Sequence, residues 1–203
     1  MKKLIAGMAF AVMITAACNR QENMKSASDN QQIAIENIMT RSSVRQYTDQ
    51  AVSEATVDTL LRAGMAAPTA ANKQPWSFVV VTEQALKDSL ITVLKYGRPI
   101  EKAPVSIVVC GDMTKTLEGD GRDYWIQDCS AATENILLAA HAVGLGAVWC
   151  GVYPQTDRVE GVSKILNLPD HLVPLNVIAI GYPGAPANVK DKWNPDNVHF
   201  NAY

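Results

Sequence analysis

Four side chains that donate hydrogen bonds lie within five residues near the start of the folded part of the chain. Guanidinium and hydroxyl groups in this arrangement are suited to binding a phosphate monoester. A solvated basic loop is the alternative interpretation of such a cluster. The four residues are Arg41, Ser42, Ser43 and Arg45.

A second basic pair lies near the other end of the chain, where Lys190 and Lys192 alternate with Asp191. Alternate side chains of an extended segment point the same way, so both ammonium groups could face one anion. On its own this pair is also consistent with a solvated surface.

The stretch from residue 66 to residue 78 ends a helix and leads directly into an apolar strand. Pro68 is expected to stop the helix, because a proline beyond the first turn lacks the amide donor. Residues 69–71 have small side chains, which would let their backbone approach a flat ligand. Asn72 and Gln74 each supply a donor and an acceptor. A well-packed structural turn is the alternative.

Several classes of site lack their sequence motif. The chain contains no His-x-x-x-His and no Cys-x-x-Cys, and His141, His171 and His199 are far apart. A metal site is therefore not expected. Gly-x-Ser-x-Gly, Gly-x-Gly-x-x-Gly and Walker motifs are also missing, so the sequence does not support a hydrolase or a Rossmann dinucleotide site.

The cysteines do not form a close-spaced redox motif. Cys110 is predicted in a strand and Cys129 on a helix, both buried as small apolar residues. Cys150 lies between Trp149 and Gly151, where we predict a turn in which the thiol could face a ligand.

The N-terminus resembles a bacterial export signal. Lys2 and Lys3 precede a short apolar run, and residues 1–17 end in small side chains. Residues 15–18 (TAAC) resemble a lipobox, which predicts lipidation of Cys18 and attachment to the cell envelope. Simple cleavage after Ala17 is the alternative. The polar residues 18–32 are predicted to be a flexible tether.

Length and composition predict one folded domain over residues 33–203. The chain has 203 residues, of which 48% are hydrophobic, and its net charge of -2 gives no indication of a nucleic-acid partner. Apolar periodicity predicts a short helix at 33–39, further helices near 54–64, 82–94, 124–143 and 157–166, and strands at 78–81, 104–110, 146–149 and 173–180.

The last twenty residues, 184–203, show no core pattern but contain Trp193, Phe200 and Tyr203. This segment is too aromatic to remain in water. We expect it to lie against a second copy of the chain, as an exchanged arm, or against its own body.

Taken together, the motifs resemble the FMN-dependent nitroreductase family. The matching segments occur in order over residues 33–203: 41–45 (RSSVR), 68–78 (PTAANKQPWSF), 144–153 (GLGAVWCGVY), 181–183 (GYP) and 190–192 (KDK). The resemblance implies an α+β fold of three layers, with a mainly antiparallel central sheet and helices on both faces. It also implies a homodimer with exchanged C-terminal arms and two flavin sites at the interface.

The resemblance implies roles for residues by matched position. Six residues are expected to bind the phosphate, the ribityl chain and the pyrimidine region of FMN: Arg41, Ser42, Ser43, Arg45, Lys190 and Lys192. The flavin of the partner subunit is expected to contact Pro68, Thr69, Ala70 and Asn72. Backbone amides facing flavin N5 and O4 are expected at Cys150, Gly151 and Val152. Asp128 matches a flavin-side polar position that is often glutamine.

The chemistry implied by the resemblance belongs to FMN, and we nominate no catalytic acid or base. NADH or NADPH is the expected electron donor, and nitroaromatics or quinones are the expected acceptors in a ping-pong reaction through flavin N5. The loop at 112–124 and the side chains of Tyr124 and Trp125 are predicted to face the substrate.

Two alternatives stay open at this point. A related flavoenzyme chemistry, such as reductive dehalogenation or flavin breakdown, would use the same scaffold. A non-catalytic flavin-binding lipoprotein is the second alternative. An envelope location also conflicts with cytosolic nicotinamide cofactors, so a non-nicotinamide donor such as a quinol is an alternative source of electrons.

The phosphate assignment can be tested directly. Arg41→Ala and Lys192→Ala should each weaken retention of FMN, because each removes a cation expected at the phosphate. FMN that elutes with each variant on a desalting column is the measurement. Unchanged retention of FMN in both variants would contradict the prediction that Arg41 and Lys192 bind the phosphate.

Overall fold

The structure is a computed structural model that describes residues 30–203. The predicted signal segment, Cys18 and the tether up to residue 29 lie outside the described residues. Residues 30–32, predicted to belong to the tether, are helical, so the predicted helix at 33–39 is part of a helix α1 over residues 30–40. The chain divides after Thr40, and the body described below is Arg41–Tyr203.

Four antiparallel strands form the sheet of this body, in the order β1-β2-β4-β3. The central strands β2 and β4 are almost entirely buried, as the continuous apolar runs predict. The strands are β1 Trp76–Val81, β2 Val105–Asp112, β3 Gly146–Gly151 and β4 Leu172–Gly181.

Helices cover both faces of the sheet. One core contains residues of α2 and α5, and the other contains residues of α3, α4 and α6. The α+β prediction with an antiparallel sheet and helices on both faces is therefore confirmed. The helices are α2 Glu54–Met65, α3 Gln84–Val93, α4 Arg98–Lys102, α5 Tyr124–Ala142 and α6 Thr156–Ile165. Among the described residues, none of the helices is long and apolar enough to cross a membrane.

Local sequence signals explain most of the helix boundaries. Ser53 caps α2, because its hydroxyl accepts the Thr56 N–H at 3.2 Å. Gly144 follows α5 with a φ of 78°, a left-handed conformation that suits glycine after a helix. Helix α4 was not predicted, since five residues with a proline in the first turn are too short to show helical periodicity.

The segment at 41–48 runs along the outer edge of β3. Ser43 pairs with Ala147 in a parallel bridge, and the Val44 N–H donates to the Ala147 carbonyl at 3.1 Å. Gly146 permits this approach, because a Cβ there would lie 2.6 Å from Val44 Cβ. The Thr48 N–H then donates to Tyr182, at the end of β4. The sheet therefore fixes the position of the predicted phosphate-binding segment.

Tyr47 anchors the 41–48 segment to strand β4 by a hydrogen bond. Its hydroxyl oxygen lies 2.7 Å from the Val44 carbonyl oxygen and 3.0 Å from that of Ala179, so one proton is shared between two acceptors. Burial raises the pKa of the Tyr47 phenol, which keeps the donor protonated at any ordinary pH.

We predict that Tyr47→Phe lowers the free energy of unfolding by about 1–3 kcal/mol, because the buried Ala179 carbonyl loses its side-chain donor. Urea unfolding followed by circular dichroism measures the change. The matched control is Tyr124→Phe, whose ring is 47% exposed and for which we expect a change below about 0.5 kcal/mol. Equal effects of the two substitutions would contradict the anchoring role.

Candidate functional site

An open cleft of about 200 Å³ lies between residues 42–46 and residues 185–188. Ser42, Ser43 and Arg45 line it, and the Gly184 N–H holds the two sides together by donating to the Gln46 carbonyl at 2.8 Å. Small-molecule pockets usually enclose about 300–1,000 Å³. One chain therefore offers space for only part of a cofactor-sized ligand.

Arg41 forms an ion pair with α5 and does not line the cleft with Ser42, Ser43 and Arg45. Its Nε lies 3.1 Å from Glu134 Oε1 on α5, and its side chain is 18% exposed. The lining of the cleft begins at Ser42. The sequence did not identify Glu134, because no feature of the α5 pattern relates it to a segment ninety residues earlier.

The C-terminal segment is exposed along its whole length. Residues 183–203 are all exposed, and the Trp193 and Phe200 side chains are 73% and 85% exposed. The aromatic residues of this segment therefore do not pack on its own body, which was one of the two expectations, whereas its first residues, 184–188, lie beside residues 42–46. Lys190 and Lys192 lie in this exposed segment, beyond the last residue that lines the cleft.

The turn after α2 is held in an unusual backbone conformation. Ala71, Asn72 and Gln74 have φ angles of 48°, 54° and 49°. Left-handed conformations cost about 1–2 kcal/mol for residues other than glycine, and asparagine tolerates them best. The Gln74 N–H donates to Thr69 Oγ1 at 3.1 Å, and its side-chain amide donates to Asn72 Oδ1 at 3.0 Å. Such strain tends to occur at functional sites.

Asp128 links this turn to α5. Its side chain is buried, and Oδ1 accepts the Ala70 N–H at 2.9 Å. Asp128 was predicted on the flavin side of α5, and the structure places its carboxylate against the turn that was predicted to line the flavin.

Two expectations for the end of β3 are wrong. Cys150 lies in the strand and not in a turn, and its side chain packs in the core formed with α3, α4 and α6. Burial raises the pKa of its thiol to about 11, although Arg45 lowers it, so the thiol does not face a ligand as a reactive group. The Val152 amide already donates to the Leu175 carbonyl at 3.1 Å, and its side chain is fully buried.

Gly151 is the approachable residue of this group. It is exposed, and a Cβ built on it would have no heavy atom of the described chain within 4 Å. Its carbonyl accepts a hydrogen bond from Arg158 Nη1 at 3.2 Å, on the side away from β4. In an antiparallel strand the N–H of a residue lies on the same side as its carbonyl. The Gly151 amide therefore faces the open edge of the sheet.

Trp125 does not face a substrate, contrary to the sequence prediction. It is 3% exposed, and its ring meets Tyr153 edge-on with the centroids 5.0 Å apart. The ring occupies the space beside Gly111, where a Cβ would lie 2.3 Å from it. The first turn of α5 directs Trp125 into the core, whereas Tyr124 is 47% exposed.

Known proteins resemble this chain along most of its length. The model of the nitroreductase family matches residues 38–97 and 88–182. A protein from Methanothermobacter thermautotrophicus, named provisionally as an NADH dehydrogenase/NAD(P)H nitroreductase, is 43% identical over 167 residues, which are 82% of this chain and 85% of that protein.

Solved structures give the same result. A crystal structure from Parabacteroides distasonis, with the same provisional name, is 45% identical with a TM-score of 0.80 and covers 84% of this chain and 98% of its own. An FMN-dependent nitroreductase from Clostridium difficile is 28% identical with a TM-score of 0.76 and covers 83% and 99%. The family model spans residues 42–46 of the cleft, the strained turn and the end of β3, and this chain belongs to the nitroreductase family.

Proposed function

We propose that the chain is an FMN-dependent oxidoreductase that takes electrons from NADH or NADPH and reduces small acceptors such as nitroaromatics or quinones. The observation that carries this proposal is its membership of the nitroreductase family. Names among the relatives include an NADPH-dependent FMN reductase of Bacillus subtilis and an NADPH nitroreductase of Salmonella typhimurium, at 28% and 25% identity.

The residues present fit this cofactor. Ser42, Ser43 and Arg45 line a cleft that suits a phosphate and the ribityl chain. Gly151 offers an open backbone edge on which a flat ring can lie, with no Cβ in the way. FMN bound there supplies two-electron chemistry at its N5, while the protein binds and orients it. The chain needs no acid or base of its own for that role.

The second wall of the site is proposed to come from a partner subunit. The cleft of one chain encloses only about 200 Å³, and the C-terminal segment exposes several aromatic side chains. Strand β1 is an edge strand without a charged residue, which is the kind of edge that pairs with another chain. We therefore propose a homodimer with exchanged arms, in which Pro68, Thr69, Ala70 and Asn72 line the flavin bound by the partner.

A location in the bacterial envelope, with Cys18 lipidated, is also proposed from the sequence. An enzyme in that location would not meet cytosolic nicotinamide cofactors. The export signal favours a second candidate function, in which a quinol or another membrane reductant supplies the electrons to the same site. The second half-reaction, in which the reduced flavin reduces a nitroaromatic or a quinone, would then be unchanged.

Purified protein should be yellow, should bleach with NADH or NADPH without oxygen, and should recover its colour with menadione or nitrofurazone. The visible absorbance of the flavin is the measurement. Yellow protein that bleaches with a quinol but with neither nicotinamide would favour the second candidate. Colourless protein that takes up no FMN would contradict both candidate functions.

Mixed dimers test whether the site is shared. One chain carries Arg45→Glu in the cleft, and the other carries Ala70→Trp in the turn, with a different affinity tag on each. If the turn serves the partner's flavin, one site receives both changes and the other is intact, so the mixed dimer should retain about half of the wild-type FMN. The controls are the two homodimers, which should retain little FMN. A mixed dimer as empty as the homodimers would place both parts in one chain and contradict the shared site.

A further inference from the structure

The strained turn after α2 has no side-chain cap at its start. Thr69 precedes the short 3-10 turn Ala70–Asn72, and its side chain makes no capping bond to it. The Thr69 hydroxyl accepts the Gln74 N–H instead. The first N–H groups of a helical turn have no partner within the turn, so the Ala70 N–H requires an acceptor from elsewhere.

Asp128 supplies that acceptor from a distant part of the chain. Asp128 is 6% exposed, and its Oδ1 accepts the Ala70 N–H at 2.9 Å, across 58 positions of sequence. A hydrogen bond to a carboxylate is stronger than one between neutral groups. Helix α5, which carries Asp128, packs in the core through its buried residues, so the hydrogen bond fixes the turn to the core of the molecule at its first amide.

A second hydrogen bond from the same helix provides a control that distinguishes this role from general packing. Asn135 Nδ2 donates to the Ala63 carbonyl at 3.0 Å and so joins α5 to α2. That bond links α5 to the helix that precedes the turn, but it does not reach residues 69–74. The two side chains therefore offer a matched pair, one that touches the turn and one that does not.

We propose that Asp128 is a positioning residue, which acts through the Ala70 amide to hold the strained turn in the shape that the flavin site requires. Its carboxylate does not itself contact the flavin. The positioning of the turn rests on the observed hydrogen bond, and the expected effect on FMN binding rests on the proposed function. It replaces the expectation that Asp128 binds the cofactor directly.

Two substitutions of Asp128 test the proposal. Asp128→Ala removes the acceptor, and we expect the dissociation constant for FMN to rise about tenfold or more, as for the loss of a charged hydrogen bond. Asp128→Asn keeps an oxygen that can accept from Ala70, so we expect binding within about threefold of the wild type. The matched control Asn135→Ala should change the constant by less than about twofold.

Hydrogen exchange in the flavin-free protein gives a second readout. Amides of residues 69–74 should exchange about tenfold faster in Asp128→Ala, and at the wild-type rate in Asn135→Ala, because only the first substitution releases the turn. If Asp128→Ala does not fold, Ala70→Pro removes the same N–H, and its readout is faster exchange of the amides of residues 71–74, because Ala70 itself is proposed to line the flavin. Proline is tolerated at the first position of a helical turn, and the ψ of 154° at Thr69 is compatible with a following proline.

The outcomes are distinguishable. FMN affinity and turn exchange that are both unchanged in Asp128→Ala would overturn the proposal. Asp128→Asn that binds FMN as weakly as Asp128→Ala, with wild-type exchange of the turn, would also overturn it, because the charge would then act on the flavin directly. Wild-type protein that binds no FMN would end the proposed function, while the exchange rates would still decide whether Asp128 positions the turn.

Discussion

The burial of helix α5 against the sheet is the constraint on which the rest of this structure depends. A helix that buries one face can carry few polar side chains on that face, and each buried one must find a partner. In this molecule the partners belong to the segments of the candidate site and its supports. The contacts are Asp128 with Ala70, Glu134 with Arg41, Asn135 with Ala63, and Thr133 with Asn176.

One helix therefore orders elements that are far apart in sequence. It contacts the turn after α2 through Asp128 and the start of the body through Arg41, and its apolar face packs beneath β3. The sheet supplies the complementary restraint, because Tyr47 and the Ser43 bridge fix the segment that lines the cleft. The site of the proposed flavin is thus built from loops and from the end of β3, and hydrogen bonds hold the turn to α5 and the 41–48 segment to β3. Pre-organisation of this kind suits a cofactor that brings its own chemistry.

Sequence patterns predicted the elements better than the directions of their side chains. The apolar runs located all four strands, and Gly144 marked the end of α5, because these signals are local. Trp125 and Cys150 were assigned to the site, yet both face the core. Their direction depends on how a helix or strand is rotated against its neighbours, which one element's sequence does not fix. The Asp128 contact and the Arg41–Glu134 pair also depend on tertiary packing, and no local motif indicates either one.

The central claim is that a complete flavin site exists only where two chains meet. Native mass spectrometry of the purified protein, diluted through the range in which the dimer dissociates, tests it most directly. The account predicts two FMN molecules on each dimer and none on the monomer, since the proposed second wall of the site comes from the partner subunit. A monomer that keeps its FMN would contradict the account.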